Sequence, residues 1–241
     1  MKAHISNSLA GFFKERFLKK FNLEKRTGID DELIIFGLYT EKDVNIALSN
    51  KKPVTIIWAG TDVLKNHNFS QLKQFKHIAQ SMNILNVLTL NLITAEYKQI
   101  CVTDLDFWKP VPLGDKIYIY TSKDNPKKYG VDLYTKIIDY FGKDKFIIAD
   151  YQTYSQQEMK DIIYPQVKFA LRLTPFDGLS ESVVELGLMG RYVIHNDLLP
   201  NCIIYSDFKS IVNQIEILLN DNWNPYFLSS NVYNKLIDIK L

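Results

Sequence analysis

Between Val167 and Ile194 the chain changes character in a way that few folds accommodate. Val167 to Leu173 is an apolar run that reads as a buried strand, and Pro175 stops it. A polar, glycine-bearing loop follows from Phe176 to Leu179. Ser180 is placed as an N-cap, Glu181 sets an acid in the first helical turn, and Val183, Val184, Leu186 and Leu188 supply an apolar side for packing on a sheet. Gly190 suits the left-handed position after a helix, and Tyr192 to Ile194 reads as the next strand. A strand, helix, strand unit of this kind predicts an α/β fold.

In such a unit the helix N-terminus lies beside the carboxyl end of a parallel strand, where free N–H groups and the helix dipole favour an anion. Phosphate is the natural guest, and Gly178, lacking Cβ, lets the backbone approach it closely. Asp177 stands just before the helix and Glu185 about two helical turns further on. An ionised carboxylate accepts two hydrogen bonds from a sugar diol, so an acid near each end of a diphosphate suggests hydroxyl partners. The plainer reading is a Rossmann-like helix that Asp177 caps, with Glu185 in solvent.

These residues resemble the nucleotide-sugar-binding part of GT-B glycosyltransferases, especially family four and its relatives. The family pattern stands here as Asp177, Gly178, Ser180, Glu185, Gly190, Val193 and Ile194, with Asp177 where the family usually has Glu. The resemblance is good for Gly114 to Leu219 and weaker before. It implies two Rossmann-like domains facing across a cleft, and transfer of a sugar from a nucleotide-diphosphate donor to an acceptor hydroxyl with retained configuration. By the same resemblance Asp177 is catalytic and touches the donor sugar, the amides of Gly178, Leu179 and Ser180 hold the diphosphate, and Glu185 takes the ribose hydroxyls. Helix amides that stabilise the leaving diphosphate can replace a metal ion, so no metal or other cofactor is expected.

The chain has 241 residues, a length at which one large or two small domains are both plausible. With 29 basic and 27 acidic residues the net charge is only +2, which gives no global field to draw nucleic acid. Cys101 and Cys202 stand in apolar runs without Cys-x-x-Cys or His companions, so neither a disulfide framework nor a zinc site is expected. No run approaches the ~20 apolar residues of a membrane span, and no signal-peptide core is evident, which points to a cytoplasmic protein.

Ser8 to Phe21 has a helical pattern, with Leu9, Phe12, Phe13, Phe17 and Phe21 on one side and Lys14, Arg16, Lys19 and Lys20 largely on others. It suits a helix packed on the first domain, or a peripheral contact of residues 8–21 with anionic lipid. Strands are expected at Glu32 to Tyr39 and Val54 to Trp58, with a helix at Glu41 to Ser49 between them. Gly60, Thr61 and Asp62 then fall at the carboxyl end of a strand, where α/β sheets place ligands. Gly60 and Thr61 are expected to line the acceptor side. Asp62 is a candidate to orient an acceptor hydroxyl or act as a base, and equally a candidate helix cap. His67 and His77 have no visible partners and read as structural.

Tyr97 to Val102 is expected as a strand, followed by Asp104 and Asp106. An Asp-x-Asp after a strand is the metal-binding signature of GT-A glycosyltransferases, in which carboxylate oxygens hold a divalent cation against a diphosphate. That is the rival enzyme reading; a nonenzymatic nucleotide-binding module is a third. Pro110 and Pro112 read as a connector, giving an acceptor-side domain over residues 1–110, a nucleotide-sugar domain over 111–222 and a helix over 223–241 crossing back.

In the second part, Asp115 to Thr121 reads as strand, Val131 to Phe141 as helix, Lys145 to Ala149 as strand and Glu158 to Tyr164 as a short helix. The loop Ser122 to Gly130 carries Lys123, Lys127 and Lys128; Lys128 is the candidate diphosphate cation, since the resembling family often has a basic residue in this region. Arg172 is placed to face phosphate, and the segment Tyr151 to Tyr154 offers an aromatic surface, Tyr154 above all, to a nucleotide base. A strand at Cys202 to Tyr205 and helices at Phe208 to Leu219 and Ser229 to Leu241 complete the reading.

Overall fold

A computed structural model describes residues 1–9, 11–121, 126–149, 153–239 and 241, with the side chains of residues 11, 12, 128 and 149 also outside the description. By internal contacts the chain divides into two compact units. The first comprises Met1–Thr103, Phe176–Ser180 and Ile239–Leu241, and the second Asp104–Pro175 and Glu181–Asp238.

The first unit is a six-stranded parallel sheet built from β1 (Lys2–Ile5), β2 (Glu24–Lys25), β3 (Leu33–Phe36), β4 (Val54–Trp58), β5 (Lys76–Ala79) and β6 (Glu96–Tyr97). Their order is β2-β1-β3-β4-β5-β6. Connections run through α1 (Gly11–Lys20), α2 (Glu41–Ser49), α3 (Phe69–Leu72) and α4 (Met82–Leu90). All four residues of β3 are buried, as a parallel strand covered on both faces requires. Leu33 and Ile35 enter one core with Ile56, Trp58, Ala47, Ile84 and Leu88. Ile34 and Phe36 enter the other with Ala3, Ile5, Phe17, Ile57 and Ile78. The helix α2 starts where Thr40 and Asp43 close a capping box, each satisfying the other's backbone N–H.

Phe13, Phe17 and Phe21 of the first helical pattern turn into this second core, with the Phe17 and Phe36 ring centroids 4.8 Å apart. Leu9, Phe13, Phe17 and Phe21, on the side α1 would offer to lipid, are thus packed against the sheet. Among the described residues no helix is long and apolar enough to cross a membrane.

The second unit is a five-stranded parallel sheet of β7 (Lys116–Tyr120), β8 (Phe146–Ala149), β9 (Val167–Leu171), β10 (Val193–Ile194) and β11 (Cys202–Ile203), in the order β11-β10-β9-β7-β8. Its helices are α5 (Val131–Phe141), α6 (Gln156–Glu158, continuing as helical turns to Gln166), α7 (Glu181–Leu188), α8 (Phe208–Asn220) and α9 (Pro225–Ile237). Ile117, Ile119, Phe169, Leu171 and Ile194 meet Tyr134, Ile137, Ile211, Ile215 and Leu218 in one core. Both sheets reverse direction after their second strand, so the switch points lie between β1 and β3 and between β7 and β9, where open α/β sheets place ligands.

Three local differences from the sequence reading stand out. The strand β1 has no long apolar run to announce it; its burial merely alternates over four residues. Only Glu96–Tyr97 pairs in β6, whereas Ile100, Cys101 and Val102 are buried without joining the ladder. The last helix begins at Pro225, four residues early, because Asn224 caps it by accepting from the N–H groups of Tyr226 and Phe227 and proline suits the first helical position.

Candidate functional site

In the second unit Arg172 follows β9 directly, at the switch point. Its guanidinium lies over the rings of Tyr120, at the end of β7, and Tyr129, with the guanidinium carbon 5.0 and 5.5 Å from the centroids. Nη1 also reaches the Ser182 hydroxyl in the first turn of α7, at 3.4 Å. Ser182 and Glu185 stand three residues apart and so share a helix face. Glu185 is only 2% exposed. Gln156 Nε2 donates to its Oε1 at 3.2 Å, and the Tyr164 hydroxyl to its Oε2 at 3.4 Å. The solvated Glu185 of the plainer reading is therefore not what is found. Cation, helix start and inward acid thus line up on one edge of the sheet. Tyr154 is half-buried just before α6, Lys128 falls in the turn Lys127–Tyr129 with its side chain outside the described residues, and Lys123 and Tyr151 lie outside them altogether.

The loop Phe176–Ser180 belongs to the first unit. Phe176 packs on the core of Leu33, Ile56 and Trp58, and the Ser81 hydroxyl donates to the Asp177 carbonyl at 2.8 Å. A Cβ on Gly178 would fall 2.1 Å from the Ala59 carbonyl oxygen, so glycine at this position is demanded by close packing on the end of β4. Gly60 answers with φ +151°, and a Cβ there would sit 3.4 Å from the Gly178 nitrogen. Asp177 Oδ1 accepts from the Gly178 N–H at 3.0 Å, Leu179 is half-buried and Ser180 buried. The Gly60, Thr61, Asp177 and Gly178 positions picked from sequence therefore gather at the carboxyl ends of β3 and β4.

Asp62 is fully buried in the short turn Thr61–Leu64. Its carboxylate accepts the N–H groups of Gly60 at 2.8 Å, Leu38 at 3.0 Å and Ala59 at 3.1 and 3.2 Å. Burial pushes its pKa up to about 6 against these backbone donors, which pull it down. With both oxygens accepting backbone N–H groups, Asp62 clamps the loops after β3 and β4. Of the two sequence readings, a local backbone-satisfying role is the one the geometry supports.

His67 donates from Nε2 to the Asp62 carbonyl at 2.8 Å, and burial lowers its pKa. His77 accepts from the Trp58 indole at 3.1 Å and donates to the Leu72 carbonyl at 2.9 Å, which fixes its tautomer. Asp104 Oδ1 accepts from the N–H groups of Asp106 and Phe107, and Lys109 pairs with Asp106 at 3.1 Å. Among the described residues no group of three or more His, Cys, Asp or Glu is arranged to hold a metal ion.

The sequence reading passed over Tyr39, whose hydroxyl is hydrogen bonded to Thr61, and over Tyr120, Tyr164 and Gln156. Tyr39 and Tyr120 could have been found by their place alone, since each ends or follows a strand beside a switch point. Gln156 and Tyr164 carry no such signal, because only the tertiary path of their helical turn brings them to Glu185.

No family model matches the sequence, and no curated protein does. Solved structures match in fold. Sucrose-phosphate synthase from Thermosynechococcus elongatus superposes with a TM-score of 0.59 at 10% identity, over 93% of this chain and 72% of that one. The lipopolysaccharide outer core galactosyltransferase WaaB, in its apo form, gives 0.60 at 12% identity, over 93% and 74%. A point mutant of S. aureus TarM, crystallised with fondaparinux, α-GlcNAc-glycerol and UDP, gives 0.55 at 11% identity, over 86% of this chain and 52% of that one. At such identities the likeness is one of fold. This chain is an α/β protein with two parallel sheets in two Rossmann-like units, the fold class of the GT-B glycosyltransferases.

Proposed function

We propose that this chain is a glycosyltransferase that moves a sugar from a nucleotide-diphosphate donor to an acceptor hydroxyl. The observation that carries the reading is the row formed by Arg172, Ser182 and Glu185 at the switch point of the second sheet. A guanidinium held within 5.0 and 5.5 Å of two tyrosine ring centroids presents a planar fork of donors suited to phosphate oxygens. The first turn of α7 adds free N–H groups and the positive end of its dipole. Glu185, one turn further on, has the acceptor chemistry that a ribose diol needs, and Gln156 and Tyr164 fix its orientation.

Charge developing on a leaving diphosphate is met in this reading by Arg172 and helix amides, so transfer proceeds without a metal and, following the family-four resemblance, with retention. Asp177 contacts the donor sugar, and Asp62 positions the loops around it. The UDP in the TarM crystal and the galactosyltransferase name of WaaB support the same class of chemistry. For the rival metal-dependent reading, Asp104 Oδ1 accepts from the N–H of Asp106, and Lys109 pairs with the exposed Asp106.

Titration calorimetry with UDP, GDP, ADP and their sugar conjugates tests the reading. One conjugate is expected to bind the native chain, and Glu185→Gln and Arg172→Ala to weaken it about 10- to 100-fold, the range for losing a charged hydrogen bond. Activity that survives EDTA supports metal independence, and binding without transfer across an acceptor panel would point to a nucleotide-binding module. If no nucleotide binds at millimolar concentration, the assignment falls back to a likeness of fold.

A further inference from the structure

Glu185 receives two donors from one irregular helical run of the second unit. Gln156 donates to Oε1 from the first turn of α6, and Tyr164 donates to Oε2 from the far end of the same run. At 3.6 residues per turn, seven residues complete about two turns, so an unbroken α-helix would set Ile163 over Gln156 and carry Tyr164 roughly a fifth of a turn further round. The chain widens instead. The Met159 N–H still bonds the Ser155 carbonyl, four residues back, at 2.9 Å, but the Tyr164 N–H bonds the Met159 carbonyl, five residues back, which makes Met159–Ile163 a π turn. That turn absorbs one residue and returns Tyr164 to the side of Gln156. Single π turns of this kind recur at functional sites. Pro165, which has no N–H, then closes the run in a tight 3-10 turn. Tyr164 is wholly buried, its ring edge-on to Tyr118 of β7 at 5.4 Å and tilted on Trp108 at 5.6 Å, so its hydroxyl is presented from a packed ring.

We propose that Gln156 and Tyr164 are positioning residues that divide a ribose diol between the two oxygens of Glu185: the hydroxyl bound at Oε1 depends on Gln156, and the one bound at Oε2 on Tyr164. The terminal torsion of a glutamate is soft, so a carboxylate held by one donor turns about it, whereas one donor on each oxygen sets its plane. An ionised carboxylate has about four lone-pair sites, and these two donors engage one on each oxygen. A vicinal diol then meets both oxygens in a fixed plane, one hydroxyl on each. The π turn matters because it aims both donors at the same acid. The inference rests on the sugar-transfer reading, in which Glu185 takes the ribose, and deepens it by assigning selectivity for ribonucleotides over deoxyribonucleotides to two residues outside α7.

Calorimetry with whichever of UDP, GDP and ADP binds the native chain, and with its 2′-deoxy and 3′-deoxy forms, tests the division. The native chain is expected to bind each deoxy form about 10-fold more weakly than the parent. Tyr164→Phe keeps the packed ring and is expected to bind the parent and one deoxy form alike, within about twofold, while still discriminating against the other. Gln156→Leu is expected to show the reciprocal pattern. A merely structural role would weaken parent and deoxy forms by the same factor and leave both ratios unchanged, which refutes the division. Loss of discrimination at both positions in either variant refutes it as well. If Tyr164→Phe does not fold, Gln156→Leu, altered at a half-buried first turn, decides alone by losing discrimination at one position or failing to. If the native chain binds a diphosphate but ignores both deoxygenations, the ribose role of Glu185 fails and the division with it. If it binds no diphosphate, the sugar-transfer reading itself fails.

Discussion

Among the described residues Arg191 is the largest charged side chain to be wholly buried, and backbone carbonyls hold its guanidinium. Its guanidinium donates to the carbonyls of Val111 at 2.7 Å, Pro112 at 2.6 Å, Val167 at 3.1 Å and Met189. Burial pushes its pKa down to about 10, yet it stays charged at neutral pH. Arg191→Met keeps the aliphatic stem but removes the guanidinium, leaving those carbonyls unpaired, with a full cost of about 1–3 kcal/mol for each that finds no other donor. A loss of roughly 3–5 kcal/mol is expected in urea unfolding, and one below about 1 kcal/mol would show that the carbonyls find other partners. Asp62 gives a pH signature. Its folded pKa of about 6 lies above its ordinary value, so the folded state binds the extra proton and this residue's contribution falls as pH rises from about 4 to about 6. The stability difference between the native chain and Asp62→Asn should therefore shrink over that window by about 2–3 kcal/mol. Asp43 runs the other way: burial raises its pKa, but hydrogen bonds from His4, Ser6 and Thr40 outweigh burial and leave it low. Its contribution is present at neutral pH and is lost as pH falls through that lowered pKa.

At the scale of elements, the loop Phe176–Ser180 depends on glycine in a way its sequence does not explain. Gly178→Ala sets a methyl 2.1 Å from the Ala59 carbonyl oxygen, so the loop has to move. A lower melting temperature together with weaker binding of a sugar conjugate is expected; a native-like melting curve would mean that the approach of the two backbones is loose. The first helix makes an opposite point. Phe17 is fully buried between Phe36 and Phe21, so Phe17→Ala should cost about 3–5 kcal/mol. With that face taken up by the sheet, no flotation with anionic liposomes is expected, and recovery of the protein in the lipid fraction would contradict the packing. Helices at Glu41–Ser49 and Val131–Phe141 agree with sequence expectation to the residue, because a cap and an amphipathic period are local signals. β6 does not, since burial of Ile100 to Val102 says nothing about whether their N–H groups find a neighbouring strand.

At the scale of the whole molecule, each unit has its own parallel sheet and core, and the tryptophans are divided between them: Trp58 in the first, Trp108 and Trp223 in the second. Trp58→Phe leaves fluorescence to the second unit alone. If the nucleotide end of the donor is held there, a diphosphate at about 100 times its Kd should stabilise that signal by about 2.7 kcal/mol, or a few degrees; an unmoved transition would place the nucleotide elsewhere. The sequence by itself determined the α/β class and most element positions in both units, since apolar runs, caps and turn residues act over a few neighbours. It also marked the region around Asp177 and Glu185, because a glycine-bearing loop before a helix is a local signal too. What only the tertiary structure decided is which partners those residues have. Strand order brought Arg172 beside Tyr120 and set Tyr39 at the first switch point; Asp62, open to two readings on paper, became a clamp once its surroundings closed over it. Those outcomes depend on backbone groups and side chains distant in sequence, and burial, which assigns each polar group its partner, exists only once the sheets have formed.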